Sequence, residues 1–244
     1  MEPIKHQISE YWTERSESFL LQRKKELASG KRELWLKEIK RYIPEGRRLR
    51  ILDLGTGTGF FAFLLELEGH YVTGIDLTDE MISKARKTAM ELGCYPDFYA
   101  MDAEEPDFEA ESFDVLVTRN LSWTLPHLDK AYKEWFRLLV PGGVLINFDA
   151  DYCTPVVEGQ EEEEMPDDHA HRMLSPDMNA KHEAIVMELS AYHGKRPQWD
   201  TELLLGAGFD RIVIDTGVWG RVYAEKDEFY NPVPIFTLAA YKPF

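Results

Sequence analysis

Only two cysteines occur in 244 residues, Cys94 and Cys153. Their separation fits neither a metal knuckle nor a disulfide framework, so a reducing, cytoplasmic setting is expected. Long apolar runs are missing as well: none approaches the ~18 residues that a bilayer-spanning helix needs. Met1 to Glu10 has no apolar stretch, so no secretory leader is expected. Positive charge is scarce. Lys and Arg number 28 against 44 Asp and Glu, a net charge of −16. A chain of that sign repels polyanions, which disfavours DNA and RNA as partners. Arg47, Arg48 and Arg50 lie close together but read as a solvated turn before a strand. From Leu138 to His171 there is no Lys or Arg at all. There is no internal repeat, and low complexity is confined to the run from Glu161 to Glu164. With 44% hydrophobic and 30% charged residues, the composition is that of a globular protein. The length suits a single α/β domain with a modest insertion.

Ile4 to about Tyr42 reads as helical, broken at Ser29-Gly30 and ended by Pro44-Glu45-Gly46. A different rhythm starts at Arg50. Short apolar strands are expected at Arg50–Leu54, Tyr71–Ile75, Asp97–Ala100, Phe113–Thr118 and Val144–Phe148. Between them fall helices at Phe60–Glu68, Asp79–Leu92 and Leu128–Leu139, with Pro141-Gly142-Gly143 as a turn into the last strand. Strands alternating with helices at this spacing predict a parallel sheet covered on both faces. The alternation pauses from Asp149 to about Pro197, where one helix is expected near Asp177–Tyr192. It resumes with a short helix at Thr201–Leu205. Strands at Arg211–Val218 and Ile235–Tyr241 then suggest a terminal antiparallel hairpin. The organisation expected is one domain. Residues 1–46 form a helical lid, 47–150 and 198–244 the core, and 151–197 an acidic, helical cap.

The chemistry-bearing motif is Asp53-Leu54-Gly55-Thr56-Gly57-Thr58-Gly59, at the end of the first strand. Parallel sheets bind ligands at the carboxyl ends of their strands. Glycines there let a ligand approach the backbone, and the next helix points its N-terminal amides at an anionic group. Asp76, at the end of the second strand, is placed to accept from both hydroxyls of a ribose. That role serves nicotinamide dinucleotides and adenosyl compounds alike. The dinucleotide fingerprint needs a third Gly or Ala where Phe60 stands, and the Lys-Ser/Thr of a P-loop is absent.

Five segments then fall in a telling order. Ile51-Leu52-Asp53-Leu54-Gly55-Thr56-Gly57-Thr58-Gly59 resembles motif I of class I S-adenosylmethionine-dependent methyltransferases. Gly74-Ile75-Asp76-Leu77, Met101-Asp102-Ala103, Ser112 to Asn120 and Leu139 to Leu145 resemble the segments that follow it in that family. The resemblance covers roughly Arg50 to Phe148, and Gly208-Phe209 fits a later turn. It is nearest to the ubiquinone/menaquinone-type small-molecule enzymes, although the inserted segment departs from them. It implies a Rossmann-like sheet of order 3-2-1-4-5-7-6 with one antiparallel strand, and S-adenosylmethionine as cofactor. It further implies roles. Gly55, Thr56 and Gly57 would meet the methionine part through the backbone, with Asp53 orienting that loop or the amino group. Asp76 would hold the ribose, Leu77 and Met81 would flank the adenine, and Asp102 with the Ala103 amide would read it. Asn120 would lie beside the methionine amino group. Tyr11 and Arg15, with Trp12, would close over the methionine end.

The acceptor pocket is expected beyond the fourth and fifth strands, walled by Trp12, Trp123 and Tyr152. Asp149 and Asp151 are candidates for contacting an acceptor or serving as base, and His127 is a third. The insertion carries Glu158, Glu161 to Glu164, Asp167, Asp168, His169 and His171. One reading of it is a substrate lid and a sharper one a metal site at His169 and His171; His-x-His with nearby acids is not a specific ligand pattern, so no metal is expected and a solvated acidic loop is the default. The expected partner is a small-molecule methyl acceptor, with no nucleic acid and no membrane span, in a monomer or homodimer. Two rivals stay open: a nicotinamide-dependent oxidoreductase, and a non-catalytic cofactor-binding module with a protein partner.

Overall fold

The computed structural model describes residues 2–154, 166, 172 and 174–244. Two helices lead: α1 (Pro3–Ala28) and α2 (Lys31–Lys40). Pro3 stands in the first turn of α1, where a missing N–H costs no hydrogen bond. Then come β1 (Arg50–Leu54), α3 (Phe60–Leu67), β2 (Tyr71–Asp76), α4 (Asp79–Leu92), β3 (Asp97–Ala100) and β4 (Phe113–Arg119). They are followed by α5 (Leu128–Leu138), β5 (Leu139–Ala150), α6 (Pro176–Leu189), α7 (Gln198–Ala207), β6 (Arg211–Asp215), α8 (Val218–Val222) and β7 (Ile235–Tyr241).

The strands form one seven-stranded sheet of order β3-β2-β1-β4-β5-β7-β6, as the sequence implied. Only β7 runs against the others, pairing antiparallel with both β5 and β6. The chain switches sides between β1 and β4, which are parallel neighbours. A crevice opens outside their carboxyl ends at such a point. Strands buried on both faces need continuous apolar runs, and β4 is buried from Phe113 to Thr118. Helices need one apolar stripe instead. On α5 that stripe is Leu128, Ala131, Tyr132, Trp135 and Leu138. One core lies on the sheet face under α2, α3 and α8, around Trp35, Phe61 and Phe148. A second lies under α5 and α7, around Tyr132, Trp135 and Leu204. A third cluster joins α1 to α6 through Ile4, Ile8, Tyr11, Ile185 and Leu189.

Three local features differ from the expectation. The strand read as Arg211–Val218 stops at Asp215, whose carboxylate accepts from the Gly217 amide and from Arg221. Val218 and Val222, four residues apart and both buried, then turn the chain into α8. The strand read from Val144 starts at Leu139, with a shift of register between the Phe113–Leu139 and Val115–Val144 pairs. Pro141-Gly142-Gly143 is therefore an irregularity inside β5, with Gly142 at φ +76°. Finally, a 3-10 turn at Ser122–Thr124 had no signal in the sequence.

Candidate functional site

A cavity of ≈ 320 Å³ lies over the carboxyl ends of β1, β2 and β4, roofed by α1. Gly57 stands at φ +54°, and a Cβ there would lie 2.9 Å from the Phe19 ring of α1. The roof thus rests directly on backbone, and only glycine permits it. Gly59, at φ +94°, lets α3 begin at Phe60 with its amides turned toward the loop.

The acids at the strand tips organise this loop. Asp53 Oδ2 accepts from Thr56 Oγ1 at 2.6 Å and from the Ala62 amide at 3.1 Å. Burial pushes its carboxyl up to about 7, in spite of those bonds. Asp76 Oδ2 accepts from the Gly57 amide at 3.0 Å, and Oδ1 from the Thr78 amide and hydroxyl. Burial raises its pKa too. Asp102 Oδ1 caps the Glu104 amide at 2.9 Å, while Oδ2 meets Lys5 Nζ of α1 at 2.7 Å. Leu77, Met81 and Ala103 add an apolar shelf between these acids. Asn120 takes φ +54° just beyond β4.

The N-terminal helix contributes more than packing. Tyr11, Trp12, Arg15 and Phe19, at helical spacing, all face the cavity. Arg15 is 4% exposed, and its Nη1 donates to Tyr11 Oη at 3.2 Å. Its Nε has no partner, and among the described residues no carboxylate lies within ion-pair distance of it. Trp123 and Tyr152 pack together with ring centroids 5.2 Å apart. The Tyr152 hydroxyl donates to Asn120 Oδ1 and accepts from Asn231 Nδ2.

All the positions expected for cofactor contact line this one cavity: Tyr11, Arg15, Asp53, Gly55, Thr56, Gly57, Asp76, Leu77, Met81, Asp102, Ala103 and Asn120. So do the pocket residues Trp12, Trp123 and Tyr152. The three acid–base candidates are not brought there. Asp149 is fully buried behind the wall. It accepts from Ser122 Oγ and the Trp123 amide and pairs with Arg196 at 3.2 Å. Asp151 caps Thr154 and the Arg196 amide. His127 Nε2 lies 3.0 Å from Glu2, outside the cavity wall.

Sequence reasoning missed His182, Arg23 and Arg119, all of which line the cavity. His182 comes from α6, its ring 5.7 Å from those of Tyr11 and Trp123. Burial, then Arg15, push its pKa below the ordinary 6.5, so the ring is uncharged at neutral pH. No local motif announces it. Arg119 begins the segment that leaves the fourth strand toward the expected acceptor pocket but has no role assigned by the sequence, and its partner, the fully buried Glu26 of α1, carries no motif either. His169 and His171, with Glu158, Glu161 to Glu164, Asp167 and Asp168, lie outside the described residues. Among the described residues there is no cluster of three His, Cys, Asp or Glu fit for a metal, and no helix long and apolar enough to cross a membrane.

Residues 52–147 match the family described as "Methyltransferase domain". The chain is 37% identical over 101 residues to the phosphatidylethanolamine N-methyltransferase of Cereibacter sphaeroides, covering 40% of this chain and 48% of that one. It is 32% identical over 124 residues to the ubiquinone/menaquinone biosynthesis C-methyltransferase of Bartonella henselae, covering 48% of each. The matched segment thus spans about half the length of these curated relatives. Among solved structures, phosphoethanolamine N-methyltransferase 2 of Haemonchus contortus, in complex with S-adenosyl-L-methionine, superposes with a TM-score of 0.62 at 20% identity. That match covers 86% of this chain and 52% of that one. An S-adenosylmethionine-dependent methyltransferase from Mesorhizobium loti gives 0.61 at 19% identity, covering 86% and 98%.

Proposed function

We propose, on the premise that this chain carries a class I, Rossmann-like methyltransferase domain, that it transfers a methyl group from S-adenosylmethionine to a small-molecule acceptor. One observation carries the reading: Asp53, Gly55, Gly57, Asp76, Asp102 and Asn120, from four separate strand tips, line a single roofed cavity. The fit to the donor can be tested on the residues present. Gly57 lets the Phe19 ring of the roof close directly over the loop backbone. Asp76, already accepting from three donors, suits a ribose diol. The shelf of Leu77, Met81 and Ala103 suits a planar base, with Asp102 at its edge.

When bound, the donor supplies an electrophilic sulfonium methyl, which passes to the acceptor's lone pair while the C–S bonding pair stays on sulfur. The chain's own task is placement and the exclusion of water. Holding two reactants in line is worth about 7–11 kcal/mol. Arg15, with no acid partner among the described residues, receives the methionine carboxylate. Asp53 and the Asn120 carbonyl meet the ammonium. Phe19 and Trp12 seal the roof, and Trp123 and Tyr152 wall the acceptor side. Tyr152 serves as a hydroxyl donor, because burial pushes its pKa upward. Where the acceptor must lose a proton, His182 takes it. Asp149 acts behind the wall, holding the 3-10 turn that presents Trp123. The roofed cavity and a net charge of −16 favour a small molecule over a nucleic acid.

Calorimetry tests the donor assignment: S-adenosylhomocysteine is expected to bind and NAD is not. Asp76→Ala is expected to weaken that binding at least about tenfold, or about 1.4 kcal/mol, and to abolish transfer of labelled methyl groups to a metabolite extract. Unchanged affinity in the variant, or tighter binding of NAD, removes the assignment.

A further inference from the structure

The cavity holds two separate cationic stations. The first is Arg15. The second is built where α1 meets the end of β4. Arg119 donates through Nη2 to Glu26 Oε1 at 2.9 Å and through Nη1 to Oε2 at 3.2 Å. Arg23 also pairs with Glu26, and Trp35 Nε1 donates to it at 3.0 Å. Arg119 lies over the Trp35 ring at 4.2 Å and donates to the Tyr223 hydroxyl at 3.2 Å. Two guanidiniums therefore share one carboxylate, leaving one positive charge in excess among aromatic rings. Both guanidiniums line the cavity, and the Arg119 side chain is only 10% exposed. Its Nε has no hydrogen-bond partner.

Among the described residues no acid besides Glu26 pairs with either guanidinium. Lys31 and Asp227, also beside Tyr223, pair with each other at 2.9 Å. Asp53 feels the Arg119 charge, but it makes no ion pair with either guanidinium among the described residues. Its carboxyl is engaged by Thr56 and Ala62. The remaining acids on the cavity wall, Asp76 and Asp102, belong to the other strand tips. Burial and the neighbouring Arg119 both depress the Arg23 pKa, the mark of a cation short of a counter-charge.

Arg15 and Arg23 are eight residues apart on α1, a rise of about 12 Å. The donor has one carboxylate, and it reaches one station. We infer that the methyl acceptor is itself an acid, and that its carboxylate or phosphate group is received between Arg23 and Arg119, with its body against Phe60, Phe61, Tyr223 and Tyr230. This rests on the donor reading given above. It assigns substrate class, since a neutral or cationic acceptor would leave the buried charge unmet.

The test uses the full chain saturated with S-adenosylhomocysteine and titrated with benzoate, phenyl phosphate and uncharged benzamide. At least one anion is expected to bind about tenfold tighter than benzamide, and the stronger of the two identifies the group. Arg23→Met is expected to lose about tenfold for that anion, and Arg23→Lys to keep most of it, while affinity for S-adenosylhomocysteine changes less than about twofold in both. Equal binding of benzamide, or an unchanged anion affinity in Arg23→Met, overturns the inference. So does an Arg23→Met variant that loses affinity for S-adenosylhomocysteine but not for methylthioadenosine, which lacks the carboxylate; the station would then serve the donor. Those results leave the donor reading standing. Absence of any binding by S-adenosylhomocysteine sinks both.

Discussion

Asp53 shows how burial sets the working state of one residue. It is 3% exposed, and burial holds its carboxyl near about 7. A folded-state pKa raised above the ordinary value means that the fold disfavours the ionised form. The stability tied to this group is therefore complete below pH ~3.8 and is lost as pH rises through about 7. A donor ammonium set beside it reverses the preference. Affinity for S-adenosylhomocysteine should thus increase from about pH 6 to about pH 8, and Asp53→Asn should flatten that increase. Calorimetry at three pH values reads both. The sequence disclosed the position of Asp53, since the Asp-x-Gly-x-Gly spacing after an apolar strand is local. It could not disclose the pKa, which depends on α3 and β4 arriving from elsewhere in the chain.

At the scale of elements, α1 and β4 are joined by a buried ion cluster. Burial alone would raise the Glu26 pKa, but Arg119 and Arg23 overcome it and hold the carboxyl at about 2. For a depressed acid the stability is present above the unfolded value near 4.5 and is lost as pH falls toward 2. Glu26→Gln leaves two guanidiniums facing each other, and breaking such a buried pair costs about 3–5 kcal/mol. Urea unfolding should show that loss at neutral pH and a narrowing gap from the wild type as the pH drops below about 4.5. The strands and helices themselves were largely readable. Short apolar runs marked β1, β2 and β4, the first leading into a glycine-rich loop, and the stripe on α5 follows from its period. What escaped were elements held by distant partners. The 3-10 turn at Ser122–Thr124 is fixed by Asp149, and α8 exists because Val218 and Val222 bury against α2 and β7. The same reasoning explains the catalytic candidates. Asp149 and Asp151 leave the correct strand, yet the buried Arg196, 45 or more residues away along the chain, draws both behind the cavity wall. His182 enters the cavity from a helix whose packing on α1 no local pattern encodes.

For the whole molecule, a net charge of −16 means that folding gathers like charges together. Added NaCl, from about 0.02 M to about 0.3 M, should therefore raise the melting temperature, since the Debye length drops below about 10 Å. A fall over that range would show that the surface ion pairs dominate instead. Against this background three guanidiniums, those of Arg15, Arg23 and Arg119, stand on the cavity wall. The roof over it is continuous. Lys5 of α1 reaches Asp102 beyond β3, Phe19 sits on Gly57, and Glu26 of α1 pairs with Arg119 at the end of β4. One continuous helix thus spans the cleft from Asp102 to the guanidinium cluster. On the proposed reading, binding in the cleft is ordered: the adenosyl donor enters first, and the acidic acceptor follows. Steady-state inhibition should register this order, with S-adenosylhomocysteine competing against the donor and not against the acceptor.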